Sequence, residues 1–174
     1  MKKTIIILAI IVTILSLNKE ENIVIPENSI RFRVIANSNK EEDQNLKKQI
    51  VTNLNSNITK LEYNPNNISE SRNQIKKSIP EFKNVIENTL KENNTNQEYK
   101  INYGMNYFPE KKYKGTVYKE GEYESLVVTL GDGLGENFWC VLFPPLCLLE
   151  AEDEKSTTEV EYKSFIKEVI DKYF

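Results

Sequence analysis

The spacing of apolar residues changes period part-way along the chain, and this limits the fold more than any other feature. Leu46, Ile50, Leu54, Ile58 and Leu61 recur at helical intervals, as do Ile75, Ile79, Phe82, Ile86 and Leu90. From Tyr99 the period drops to two: Ile101, Tyr103, Met105 and Tyr107 alternate with Lys100, Asn102, Gly104 and Asn106, the pattern of a half-buried strand. Helices grouped ahead of strands predict an α+β domain, a mixed or antiparallel sheet with helices packed on one face. With 39% hydrophobic and 28% charged residues, the chain has the balance of a packed domain and not of a disordered tail.

Local signals divide the chain further. Ile30, Phe32 and Val34 alternate within a first strand over 30–36. Ser38 stands three residues before Glu41, a capping-box spacing that predicts a helix over 39–61. After the Asn- and Pro-rich turn at 63–67, Pro80 argues against a continuous helix. Ser78 and Glu81 repeat the capping-box spacing, which predicts two short helices meeting near Ser78. A strand over 99–108, a short one over 113–118 and a continuously apolar, central strand over 125–130 follow. Gly131, Gly133 and Gly135 then lead into the aromatic run 138–143, which reads as a glycine-turned hairpin. A dinucleotide fingerprint would need a helix after those glycines, and a strand follows instead. Ser156 and Glu159, with Val160, Phe165, Ile166, Val169 and Ile170 behind them, predict a C-terminal helix.

Lys2 and Lys3 precede an apolar run from Ile5 to Leu17, and the chain turns polar at Asn18. This is the pattern of a secretory signal. At about 1.5 Å per residue the run spans roughly 20 Å, short of the roughly 30 Å of bilayer hydrocarbon. Residues 1–18 therefore read as a signal peptide, either removed or kept as an N-terminal anchor, since no A-x-A site follows. Residues 19–28 read as a linker and 29–174 as one extracytoplasmic domain. No Cys follows the apolar run, so a lipid anchor is not expected. The chain has no histidine, which excludes Ser-His-Asp and Cys-His catalysis and His-bearing zinc sites. Its net charge of -3, without a basic block, offers nucleic acid no electrostatic footprint. No cofactor or metal is expected, because two cysteines alone make a poor zinc site.

The densest segment is Phe138 to Cys147, which holds the only Trp and both cysteines. Pro144 and Pro145 end the strand and turn the chain back, so Cys140 and Cys147 can approach within disulfide range. In an exported protein that bond is expected, the alternative being two buried, reduced thiols. Trp139 and Phe143, with Pro144 and Pro145 beside them, are candidate partner contacts because large aromatics dominate interface hot spots; filling the core is the competing reading. Asn37 and Ser38 end a strand where binding groups sit, and also suit a turn and an N-cap.

Taken together, the N-terminal signal, Ile30 to Ser38, Glu42 to Lys47, Gly121 to Glu124 and Trp139 to Cys147 resemble the stage II sporulation protein R family. The resemblance covers nearly the whole exported part; the middle, 53–96, matches only in pattern. It implies a signal made in the forespore, exported into the space between the two sporulating compartments. Its implied partner is a membrane-bound aspartic-type protease, the sigma-E factor processing peptidase, and the family carries no catalytic residues of its own. Two other readings stay open. One is an exported hydrolase using paired carboxylates, Asp132 with Glu136 or Glu122 with Glu124. The other is a wall-binding module, for which Trp139 is the lone aromatic platform.

Overall fold

The computed structural model describes residues 23–61, 67–113 and 116–144, with 168, 170 and 171 besides. The N-terminal apolar run, Pro145, Cys147 and, those three residues apart, the expected C-terminal helix lie outside them. The described elements are β1 (Ile23–Val24), β2 (Ile30–Ile35), α1 (Glu41–Ile58), α2 (Ile68–Glu92), β3 (Tyr99–Phe108), β4 (Lys111–Tyr113), β5 (Thr116–Tyr118), β6 (Gly121–Leu130) and β7 (Asn137–Phe143).

Four strands form a mixed sheet in the order β3-β6-β2-β7, in which β6 runs parallel to β2 and antiparallel to β3, and β7 runs antiparallel to β2. The alternation of β2 sends Ile30, Phe32 and Val34 to one face, where they join Leu126, Val128, Leu130 and Leu142 beneath the helices. Ile50 and Leu54 of α1, with Ile75, Phe82 and Ile86 of α2, complete this core. Each such side chain contributes about 1.5–3 kcal/mol on burial. The helices run antiparallel, since Asn53 Nδ2 donates to Thr89 Oγ1 at 2.9 Å while Asn93 Nδ2 donates to Gln49 Oε1 at 2.6 Å. The architecture is α+β, with two helices on one face of a mixed sheet and β6 in the interior position that its apolar run predicts.

Several local expectations are corrected. Helix α2 continues through Pro80. The missing N–H there removes the usual partner of the Lys76 carbonyl, at a point of the helix where both residues are exposed. The apolar residues on either side, Ile75, Ile79, Phe82 and Ile86, hold the helix to the core across the break. No capping box opens α1: the N-cap is Lys40, without a side-chain cap bond, and Ser38 Oγ accepts from Lys40 N at 3.1 Å outside the helix. The alternation of β3 buries Tyr99, Ile101 and Tyr103 against the core only in part, and Met105 and Tyr107 are 63% and 55% exposed. The far end of β3 instead buries Phe108, on the opposite face.

The predicted glycine hairpin is also overturned. Strands β6 and β7 are not neighbours, because β2 lies between them. The segment 131–136 must therefore cross two inter-strand spacings, about 9–10 Å, over the end of β2. That crossing explains its glycines: Gly131 and Gly133 have φ of 53° and 67°, and a Cβ at Gly135 would run into the Ser38 carbonyl. A second, three-stranded sheet has the order β1-β5-β4. It resolves the expected short strand over 113–118 into two, and it draws part of the expected linker into structure through β1 and the buried Ile25.

Candidate functional site

The polar residues that sequence reasoning singled out after the first strand meet the glycine segment at one end of the sheet. Asn37 works as a three-way brace: its Oδ1 accepts from Asp132 N at 3.0 Å, its carbonyl accepts from Leu134 N at 3.0 Å, and its Nδ2 donates to Asp43 Oδ2 at 3.1 Å. Ser38 Oγ donates to the same carboxylate oxygen at 2.5 Å. From α1, Gln44 Nε2 donates to the Ser38 carbonyl at 2.9 Å, and Lys47 Nζ donates to Gln44 Oε1 at 2.5 Å and to the Glu136 carbonyl at 2.9 Å. Burial around Lys47 pushes its pKa below the ordinary lysine value, with Glu136 opposing. Its charge is thus spent on holding the loop.

Every backbone N–H from Gly131 to Glu136 has an acceptor within the chain. Those of Gly131, Gly133, Leu134 and Gly135 go to the carbonyls of Glu98, Leu130, Asn37 and Ala36; those of Asp132 and Glu136 go to the side-chain oxygens of Asn37 and Asn39. No N–H is left to cradle a phosphate, which removes the geometric basis for nucleotide binding. What the loop presents is a side chain: Leu134, at its tip, is 79% exposed. Sequence reasoning missed Leu134, because the signal lay in the glycines on both sides of it, which read as turn chemistry.

The other candidates are dispersed. Phe143 is 3% exposed within the main core and Pro144 is buried; the strand's last residues turn inward beneath the helices. Trp139 lies on the opposite face, half-buried, with its ring edge-on to Phe108 at 5.0 Å and Lys111 Nζ 5.3 Å above it. Cys140 is buried and disulfide-bonded; Cys147 and Pro145 lie outside the described residues. Of the carboxylates proposed for hydrolysis, Glu124 is held by Arg72 Nε and Nη2 at 2.6 and 2.7 Å and by the Tyr103 hydroxyl at 2.8 Å. Those bonds, Arg72's first, hold its carboxyl below the usual range, opposite to what a general acid needs. Among the described residues no cluster is placed to hold a metal.

Fold and site together define a small α+β domain whose surface carries a polar-braced loop presenting one apolar side chain. The family model for stage II sporulation protein R (spore_II_R) matches residues 26–153. The chain is also 38% identical to stage II sporulation protein R of Bacillus subtilis (strain 168) over 185 residues, covering 99% of this chain and 83% of that protein. This chain belongs to the stage II sporulation protein R family. No solved structure matches it.

Proposed function

We propose that the chain is an exported sporulation signal that works by surface contact. On this reading it passes from the forespore into the intermembrane space and activates a membrane-bound aspartic-type protease, which then processes pro-sigma-E. The family, the signal-like N-terminus and the absence of histidine support the reading. The observation that carries the contact surface is Leu134, 79% exposed on a loop whose six N–H groups are all bonded. A single exposed leucine is ordinary. One fixed on a braced loop is different, because binding through it incurs little loss of loop freedom. To activate, the domain must bind the protease's active arrangement more tightly than its inactive one, since equal binding shifts nothing.

Reconstituting the full chain with the protease and pro-sigma-E in membranes tests this. Leu134→Ala should raise the half-activating concentration about thirtyfold, the equivalent of about 2 kcal/mol at an interface anchor, with unchanged thermal unfolding. Leu134→Met should stay close to wild type. Equal activation by wild type and Leu134→Asp would remove the loop from the contact, and no processing with wild type would overturn the function.

A further inference from the structure

The face of the main sheet turned away from the helices carries two arginines, Arg31 and Arg33, two positions apart on β2. Arg31 is 1% exposed. Its guanidinium carbon lies 3.2 Å from the centre of the Tyr123 ring, 5.5 Å from that of Phe108 and 5.9 Å from that of Tyr118. Arg33, half-buried, sits 5.6 Å from the Phe108 centroid and 5.5 Å from that of Trp139. Arg31 Nη1 donates to the Lys119 carbonyl and Arg33 Nη1 to the Tyr107 carbonyl, both at 3.5 Å, the far limit of the range, and the Arg31 guanidinium also has the Tyr123 side chain as a hydrogen-bond partner. Arg31 Nε and Nη2 and Arg33 Nε are buried without any acceptor, and no ion pair joins either arginine to a described carboxylate.

Aromatic faces offset part of the cost of burying a cation, but they leave the in-plane N–H groups unsatisfied. An unpaired buried charge is among the most unfavourable features a fold can hold. The unsatisfied groups of Arg31 also form a particular shape. Nε and Nη2 are the two parallel donors with which a guanidinium grips a carboxylate. On the other face of the same sheet Arg72 uses that very edge on Glu124, at 2.6 and 2.7 Å. In Arg31 the same fork is buried without an acceptor from the chain.

We propose that the Nε–Nη2 edge of Arg31, backed by Nε of Arg33, is a receptor for a carboxylate group brought by another molecule. The rings of Phe108, Tyr118 and Tyr123 surround the Arg31 guanidinium, and Arg33 beside it is only half-buried. A carboxylate matches that edge better than a bulkier oxyanion, because a flat group with two oxygens meets two parallel donors edge to edge. This site is independent of Leu134 and of the protease reading.

Trp139 is the chain's only tryptophan and packs on both Arg33 and Phe108, so its fluorescence reports on the layer directly. The full chain is titrated with sodium acetate, with N-acetyl-Gly-Glu-Gly-amide and with its Gln counterpart, each against sodium chloride at equal ionic strength. A saturable change in Trp139 emission and a rise in Tm of about 3 °C or more are expected with carboxylates alone. Arg33→Met should weaken that response at least tenfold and Arg31→Met should abolish it. If Arg31→Met does not fold, Arg33→Met and the Glu-against-Gln comparison still decide. Saturation by the Glu peptide well below the acetate concentration supports the site with an acidic polypeptide as its source; equal saturation by acetate supports it with a free carboxylate. Responses no larger than those to chloride, or undiminished in Arg33→Met, would overturn the site.

Discussion

Glu124 shows how far one side chain's surroundings decide its chemistry. Its carboxylate takes two hydrogen bonds from Arg72 and one from Tyr103, and its folded pKa lies below the ordinary value. The unfolded carboxyl titrates near about 4.3. A folded value below that means the interaction stabilises the domain at neutral pH and is lost as pH falls through the folded value. Glu124→Gln is therefore expected to be less stable than wild type at pH 7 by about 1 kcal/mol, a modest figure because the pair is partly exposed. The gap should close as pH falls through the folded value. Urea unfolding followed from pH 7 down into acid measures this, and a gap that does not shrink at any acid pH would assign the effect to packing instead of charge. Trp139→Ala belongs at the same scale. The ring is half-buried against Phe108, so truncation should cost about 2 kcal/mol in thermal unfolding, short of the 3–5 kcal/mol of a fully buried aromatic.

At the scale of elements, what has a local cause was legible and what depends on distant strands was not. The buried faces of α1 and α2 follow the spacing of Leu46, Ile50, Leu54 and Ile58 and of Ile75, Phe82, Ile86 and Leu90, and β3 has the bounds its alternation gives. The neighbour of β7 is another matter. Nothing near residues 131–136 says that β2, about a hundred positions earlier, lies between β6 and β7; only the six-residue length of the segment and the contact of Gly135 with Ser38 record it. Gly135→Ala should accordingly destabilise the fold by more than about 1 kcal/mol, since its Cβ meets backbone and not a flexible side chain. Pro80 misled for the opposite reason. Its local rule is sound, but core contacts on both sides outweigh it within α2. Pro80→Ala should restore one helical hydrogen bond at an exposed position and raise stability by about 1–3 kcal/mol, seen as a higher urea midpoint with an unchanged slope.

Across the whole molecule the three surfaces of the main sheet do separate work. One face is sealed by the helices, the other is stacked with arginines and aromatic rings, and the end above β2 carries the braced loop. The aromatic run 138–143 crosses this division, which is why its sequence could be read either as core or as contact. Period two sends Phe138 towards the helix core and Trp139 to the opposite face, while Phe143 ends beneath the helices. Folding and contact should therefore come apart in a pair of variants. Phe143→Ala empties a fully packed site and should cost about 3–5 kcal/mol, lowering Tm, while on the proposed function the fraction still folded should activate the protease like wild type. Leu134→Ala should leave Tm alone and, on the proposed function, need about thirtyfold more protein for half-activation at every temperature at which the domain is folded. Thermal unfolding and pro-sigma-E processing, followed on both variants over the same temperature range, check the pair. If activation falls in Phe143→Ala at temperatures where unfolding shows it intact, the contact surface reaches the end of β7 and the assignment of Phe143 to the core alone is wrong.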